Sequence, residues 1–328
     1  MTAGLVAGVD IGGSKALAVV VDDANRVLGQ VRLPTERGAA GVVATAAEAV
    51  RQATEMAGST LTELTAVGVG IPGLVHPSNG SVSHAVNLDL GADPVDLSAA
   101  LQRELGVPVS VENDVNAVAV GAHRLAGARR GDLAVLSIGT GLAAGIVVDG
   151  SLHRGSRGGA GEIGHIPVDP LGRWCSCGQR GCLETIASGS ALSAAWQPAH
   201  EDGSSVWSAA GAGEESAAAA VRSFGAGVAA AVRLLVLAWD VEHVVLAGGV
   251  TGVGQPLLDV VRSELLAAEA GSAFLAAMRL PERVSLLPSQ SPVAAVGAAV
   301  LARDSLLESF TAIPDTLLPD SSVDEMSS

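Results

Sequence analysis

The chain has 328 residues, 48% of them apolar, which is enough for one large domain or two ordinary ones with buried cores. Thirty-four acidic against nineteen basic residues give a formal charge of −15, and no basic cluster offsets it, which argues against nucleic acid or an anionic membrane as a partner. The N-terminal residues enter an apolar strand at once, with no basic leader, cleavage signature or apolar run near ~18 residues, so a cytoplasmic protein is expected.

In chain order, residues 5–10 and 16–21 read as buried strands joined by the glycine turn Ile11-Gly12-Gly13-Ser14-Lys15, and a third strand follows near 27–33. Helical apolar spacing covers 40–57, and a strand over 65–71 ends at Pro72-Gly73. A helix over 96–105 leads to a strand over 107–112, which runs into Glu112-Asn113-Asp114 and a helix over 115–126. Residues 197–220 read as a loosely ordered connection. A long Ala/Val/Leu helix spans about 217–239, a strand over 243–247 ends at Gly248-Gly249, and helices are expected over 255–269 and 292–303. The polar, Pro- and Asp-bearing end reads as a disordered tail.

The opening hairpin has a second copy. Residues 10–22 (DIGGSKALAVVVD) align without gaps on 137–149 (SIGTGLAAGIVVD), the pattern of a duplicated unit, although two ordinary glycine-turn hairpins would also match this far. Duplication predicts two similar α/β lobes facing each other across a cleft. The expected division is 1–115 for the first lobe, with a C-terminal helix over 291–304 packing back on it, 116–290 for a larger second lobe, and 305–328 for the tail.

Four segments carry candidate chemistry. A strand ending in Asp10, followed by a turn whose glycines let backbone amides approach closely, can hold a phosphate chain while the carboxylate organises magnesium; it can equally be a tight hairpin with a solvated Asp. Gly139-Thr140-Gly141 repeats the turn with Ser137 in place of the carboxylate, so only one lobe would carry the metal. Neither turn has Walker spacing. Asn113-Asp114, at a strand end and helix start, can cap the helix or project a carboxylate into the cleft. Gly248-Gly249 is either a plain strand-to-helix turn or a close approach for a flat ring or a phosphate.

The sharpest signal is the cysteine spacing. All three cysteines, Cys175, Cys177 and Cys182, lie within eight residues, ten positions after His165. One imidazole and three thiolates make a closed tetrahedral set suited to structural zinc. A metal-bound His keeps its other ring nitrogen protonated, so His165 becomes a fixed donor with Glu162 and Glu184 as neighbouring acceptors. Two carboxylates and one imidazole N–H are a set suited to sugar hydroxyls.

Together these segments resemble the ROK family of bacterial sugar kinases, glucokinases in particular, from Val6 to about Ala302. The resemblance rests on DIGGSK, GVGIPGLV at 68–75, ENDVNA at 112–117, SIGTGLAAGIVVDG at 137–150, GAGEIGH at 159–165, GRWCSCGQRGCLE at 172–184 and AGG at 247–249. It implies an α/β protein of the actin-like ATPase (ribonuclease H-like) fold that moves phosphate from ATP to the 6-hydroxyl of a hexose. Asp114 would be the base, with Asn113, Glu162, His165 and Glu184 binding the sugar. Asp10 would help place Mg-ATP, the turns Gly12, Gly13, Ser14, Lys15 and Gly139, Thr140, Gly141 would hold phosphates, and Gly248 and Gly249 would lie near the adenosine. His165, Cys175, Cys177 and Cys182 would hold zinc, and the chain would be a homodimer or homotetramer. Glucose is the expected substrate, with an amino sugar or N-acyl-hexosamine as the alternative. A sugar-responsive regulator is disfavoured, because only nine residues precede Asp10 and a DNA-reading helix-turn-helix needs far more. Ser14 in place of Thr keeps the hydroxyl. The absence of a Trp after Asn87-Leu88, and Gly121 where an acid is common, bear on sugar identity.

Overall fold

The computed structural model describes residues 4–76, 78–125, 131–196, 205–288 and 291–311. The first half opens with β1 (Leu5–Ile11), β2 (Lys15–Val21) and β3 (Val27–Pro34), then α1 (Gly38–Met56) and β4 (Leu64–Ile71). Short strands β5 (Leu74–Val75), β6 (Ser81–Ser83) and β7 (Val95–Asp96) form a small antiparallel sheet, and α2 (Leu97–Leu105), β8 (Val109–Asn113) and α3 (Asp114–Leu125) follow. The second half holds β9 (Leu133–Ile138), β10 (Leu142–Val148), β11 (Ser151–Leu152), α4 (Glu184–Ala187), α5 (Gly189–Ala195), α6 (Val206–Gly211) and α7 (Glu215–Trp239). It ends with β12 (His243–Ala247), α8 (Gln255–Ala270), α9 (Ala273–Met278), β13 (Val284–Leu286) and α10 (Val293–Thr311).

The two large sheets have the same topology. Strand order is β3-β2-β1-β4-β8 in one and β11-β10-β9-β12-β13 in the other, each with three parallel strands and an antiparallel hairpin on one edge. Parallel strands are buried on both faces, which is why β1, β4 and β9 read as near-continuous apolar runs. The second copy of the hairpin is tighter by one residue. Ile11 faces Ala16 across β1 and β2, whereas Ile138 faces Leu142 across β9 and β10, so the gapless sequence match loses register after the turn.

The outer face of the first sheet packs on α1 and α2, and that of the second on α7 and α8. By length and composition α7 could cross a membrane, but here one side of it, including Phe224, Val228 and Leu235, forms the core against the second sheet. Between the sheets lie α3 and α10: α10 seats on β1 and β4, and α3 on β9 and β10. Four glycines make that seating possible. A Cβ on Gly8 would collide with the carbonyl of Ala295, on Gly68 with that of Ala298, on Gly121 with that of Val293, and on Gly297 with that of Ala117. Gly121 is therefore a packing position against α10.

Two sequence expectations need correction. Of the connection expected to be loose, residues 197–204 lie outside the described residues, while 206–211 and 215–220 are helical, because Ser205 caps the first of these helices and the alanines favour the second. Of the expected tail, residues 312–328 lie outside the described residues, whereas 305–311 continue α10. The short β5, β6 and β7, and α4, α5, α9 and β13, are too brief to show a period in sequence.

Because the α3–α10 seam is backbone against side-chain-free backbone, Gly121→Ala should destabilise the chain by about 1–3 kcal/mol, read as a lowered urea midpoint. An unchanged midpoint would mean that the seam has room.

Candidate active site

The β8–α3 junction is tied down by hydrogen bonds on every side. Asn113 fills the cap position: its Oδ1 accepts from the backbone N–H of Val115 (2.9 Å) and Asn116 (3.4 Å), and its Nδ2 donates to the Gly73 carbonyl (3.2 Å). Asp114 also accepts the Val115 N–H at 2.9 Å. Capping thus falls mainly to Asn113, and the polar pair seen in sequence divides into a cap and a half-buried carboxylate. Desolvation raises the Asp114 carboxyl above its ordinary value, opposed by the backbone N–H of Val115 and its own.

Asp10, at the end of β1, lies close enough to Asp114 to sense its charge. Burial first, then the Asp114 carboxylate, push Asp10 up to about 7, against the pull of the Lys15 ammonium. Two half-buried carboxylates within range of each other's charge form a place that a divalent cation would relieve, which fits magnesium.

Past Asp10 the turn closes through the Gly12 N–H to the Lys15 carbonyl (2.9 Å), and Thr35 Oγ1 donates to the Gly12 carbonyl (2.8 Å). The second turn is held by the Gly139 N–H to the Gly141 carbonyl (3.1 Å), and Gly189 donates to the Gly139 carbonyl (2.8 Å). Gly13, Ser14, Gly139, Thr140 and Gly249 line one opening, so both turns and the β12 glycines face the same space, together with Gly189 and Ser190 at the start of α5. Gly248 lies beneath it: at φ +91°, a side chain there would strike the Ile138 carbonyl. Asp10, Gly12 and Lys15 do not line that opening; they support the turn that does.

The four atoms His165 Nδ1 or Nε2 and Cys175, Cys177 and Cys182 Sγ all lie within 4.8 Å of one another. Cys175 Sγ stands 3.6 Å from His165 Nδ1, and Cys177 Sγ 3.6 Å from Cys182 Sγ. In a tetrahedral site with metal–sulfur bonds of about 2.3 Å, neighbouring ligand atoms are about 3.7 Å apart, so the donor set fits zinc. Gln179 Nε2 donates to Cys177 Sγ (3.4 Å) and, with the Gln179 backbone N–H, holds that thiol down to about 6. Burial pushes Cys175 up to about 12.

The cluster fixes the imidazole edge-on. Nδ1 faces Cys175 and Glu184 Oε1 (3.7 Å), and Nε2 faces Glu162 Oε2 (3.9 Å). The two acids therefore stand on opposite sides of the ring. Glu162 shares a cavity of about 320 Å³ with Asn113, whereas Glu184, which accepts from Cys175 Sγ (3.0 Å), lines a neighbouring opening with His165, Thr140, Gly141 and the exposed Trp174. Asn113 and Glu162 meet in one cavity; His165 and Glu184 border it from the next.

Sequence reasoning missed several walls of the Asn113 cavity, chiefly His76, Ser83, Glu112, Asn116, Arg154 and Arg157. Glu112 and Asn116 were within reach, four residues apart inside ENDVNA. Arg154 and Arg157 offered one signal, two cations set at the start of a glycine-rich run that ends at Gly161.

The model of the ROK family matches residues 6–305. The chain belongs to the ROK family. A glucokinase of Streptomyces coelicolor is 39% identical over 190 residues, covering 58% of this chain and 58% of that protein, so the match spans well under two thirds of the relative. An N-acetylmannosamine kinase of Yersinia pseudotuberculosis is 30% identical over 245 residues, covering 74% of this chain and 81% of that one. Among solved structures, a ROK family glucokinase from Streptomyces griseus in complex with glucose and AMPPNP superimposes with a TM-score of 0.73 at 32% identity, covering 92% of this chain and 100% of that one. The paired sheets are those of the actin-like ATPase fold.

Chelation at neutral pH should expose Cys177 as the fastest-alkylated thiol, since it is exposed and its thiol is held low, while metal-loaded protein is protected at all three cysteines. Equal labelling with and without chelator, read by mass spectrometry, would mean that no metal sits there.

Proposed function

We propose that the chain is an ATP-dependent hexose kinase that phosphorylates the 6-hydroxyl of a monosaccharide, glucose first. One observation carries this reading: Asp114 is a half-buried carboxylate adjacent in the chain to a wall of the Asn113–Glu162 cavity and near enough to Asp10, which leads into the phosphate turn, to raise its pKa. Similarity to glucokinases supports the substrate class. An N-acyl-hexosamine is the second reading, favoured by the likeness to an N-acetylmannosamine kinase.

In this mechanism Asn113, Glu162, His165 and Glu184 grip ring hydroxyls and direct the 6-hydroxyl at the γ-phosphorus. The turns at Gly12, Gly13, Ser14 and Lys15 and at Gly139, Thr140 and Gly141 offer backbone and side-chain donors to the phosphates, and Gly248 and Gly249 leave room for the nucleoside. As the sugar oxygen bonds to phosphorus, the bond to the bridging oxygen breaks, ADP departs, and the hydroxyl proton passes to the Asp114 carboxylate. Most of the rate comes from alignment and charge neutralisation, because the transition state is loose. Asp10 would hold magnesium nearby, which would supply charge neutralisation at the phosphates. His165, Cys175, Cys177 and Cys182 would hold zinc in a structural role, since four protein donors already complete a tetrahedral set. The chain is read as a cytoplasmic homodimer or homotetramer, with lobes divided near residue 115 and α10 assigned to the first.

A coupled ADP-release assay with ATP, Mg²⁺ and a panel of hexoses and N-acyl-hexosamines tests the reading, and turnover of none would end it. Asp114→Asn should lower kcat by about 10²- to 10⁴-fold with sugar affinity nearly unchanged, measured by calorimetry beside the assay. An equal loss of affinity would make Asp114 a binding residue. Since the base must be ionised and burial raises its pKa, kcat should fall as pH drops through a value above the ordinary carboxylate range. A limb at or below pH 4 would contradict the assignment.

A further inference from the structure

Glu112 spends each of its oxygens on a different part of the molecule. Oε2 accepts from Arg154 Nε at 2.7 Å; Oε1 accepts from the Asn113 backbone N–H at 3.0 Å and from Asn116 Nδ2 at 2.9 Å. Glu112 closes β8 in the first sheet, while Arg154 follows β11 in the second. The pair therefore crosses from one sheet system to the other at the β8–α3 junction. The pair is sheltered on its carboxylate side: the Glu112 side chain is 15% exposed and Asn116 is buried, whereas the Arg154 side chain is 39% exposed. Its hold comes from geometry more than from shielding, because one charge-assisted bond from Nε and two bonds from the β8–α3 junction meet on a single carboxylate.

The pair also borders two spaces. Glu112 and Arg154 line both the Asn113–Glu162 cavity and a second one of about 690 Å³, walled by β8, α3, α10 and the β10–β11 corner. Loss of the pair would free the carboxylate that orients Asn113 and Asn116. The Arg154 carbonyl further accepts from the Ala160 N–H at 3.2 Å, two residues before Glu162, so the segment that brings the guanidinium to Glu112 also anchors the loop that delivers Glu162.

The geometry points to Arg154 as a positioning residue: through Glu112 it sets the β8–α3 junction, and with it Asp114, against the lobe that carries Glu162 and His165. This rests on the kinase reading. Arg154 acts through Glu112 and need not touch the sugar, and its fork geometry matters because the bond runs through Nε, which lysine lacks.

The test is a double-mutant cycle of Arg154→Gln and Glu112→Gln, with Arg154→Lys beside it, reading kcat and sugar Kd separately. Each single change is expected to lower kcat by about 10- to 100-fold, the cost of a misplaced reacting group, with sugar Kd within about threefold of wild type. The double variant should be no worse than the poorer single, since either change breaks the same bond. Arg154→Lys should recover less than about half of the loss on a logarithmic scale. Additive losses, or weaker sugar binding with kcat intact, would overturn the inference, as would full activity in Arg154→Lys. Circular dichroism melts establish that each variant is folded at the assay temperature; if Arg154→Gln is not, Arg154→Lys and Glu112→Gln carry the comparison. A wild-type chain that phosphorylates no sugar defeats the kinase reading itself, and a functioning wild type with unaffected variants defeats only the role of Arg154.

Discussion

The architecture depends on one close approach, that of α10 and α3 to the two large sheets. Gly8 and Gly68 let the α10 backbone rest on β1 and β4, and Gly121 and Gly297 let α10 rest on α3. Side-chain-free contact of this kind admits little sliding, because displacement drives carbonyl oxygens into Cα atoms. Since α3 begins at Asp114, the seam that holds the sheets together also fixes where that carboxylate lies. The ends of β1, β8, β9 and β12 are all referred to the same seam, so the glycine turns and the walls of the Asn113–Glu162 cavity, from distant parts of the chain, keep a common frame.

Within that frame the two halves do different work. The first contributes two acids: desolvation raises the pKa of both Asp10 and Asp114, and the charge of Asp114 raises Asp10 further. The second answers with Ser137 at the equivalent strand end and a turn shorter by one residue. Duplicated topology thus supplies a pair of similar glycine turns; on the kinase reading both would hold anions, and the carboxylate present in only one half would make a single cation site.

Much of this was legible in the sequence because it rests on local chemistry. Strands such as β1, β4 and β12 are apolar runs bounded by glycine, and the cysteine spacing brings its four donors together by short-range chain geometry alone. The turns at Gly13 and Gly139 were visible as repeats. What escaped depends on contacts between distant segments: Arg154 meets Glu112 across 42 positions, and Gly121 meets Val293 across far more. The division of labour between Asn113 and Asp114 escaped too, since sequence shows the pair and only hydrogen bonds show which member caps. Glu162 and Glu184 looked alike as flanking acids, yet the imidazole between them faces one with Nε2 and the other with Nδ1.

The chain has no tyrosine and four tryptophans, and Trp174 stands 74% exposed beside Cys175 and opposite His165 and Glu184, while Trp196 is buried. Near-ultraviolet excitation therefore reaches indole alone, and the solvated indole on the thiolate loop emits to the red of its packed counterparts. The molecule carries a built-in optical probe of its cysteine segment, so any change at that segment or in the opening it lines can be followed by emission wavelength without an attached dye.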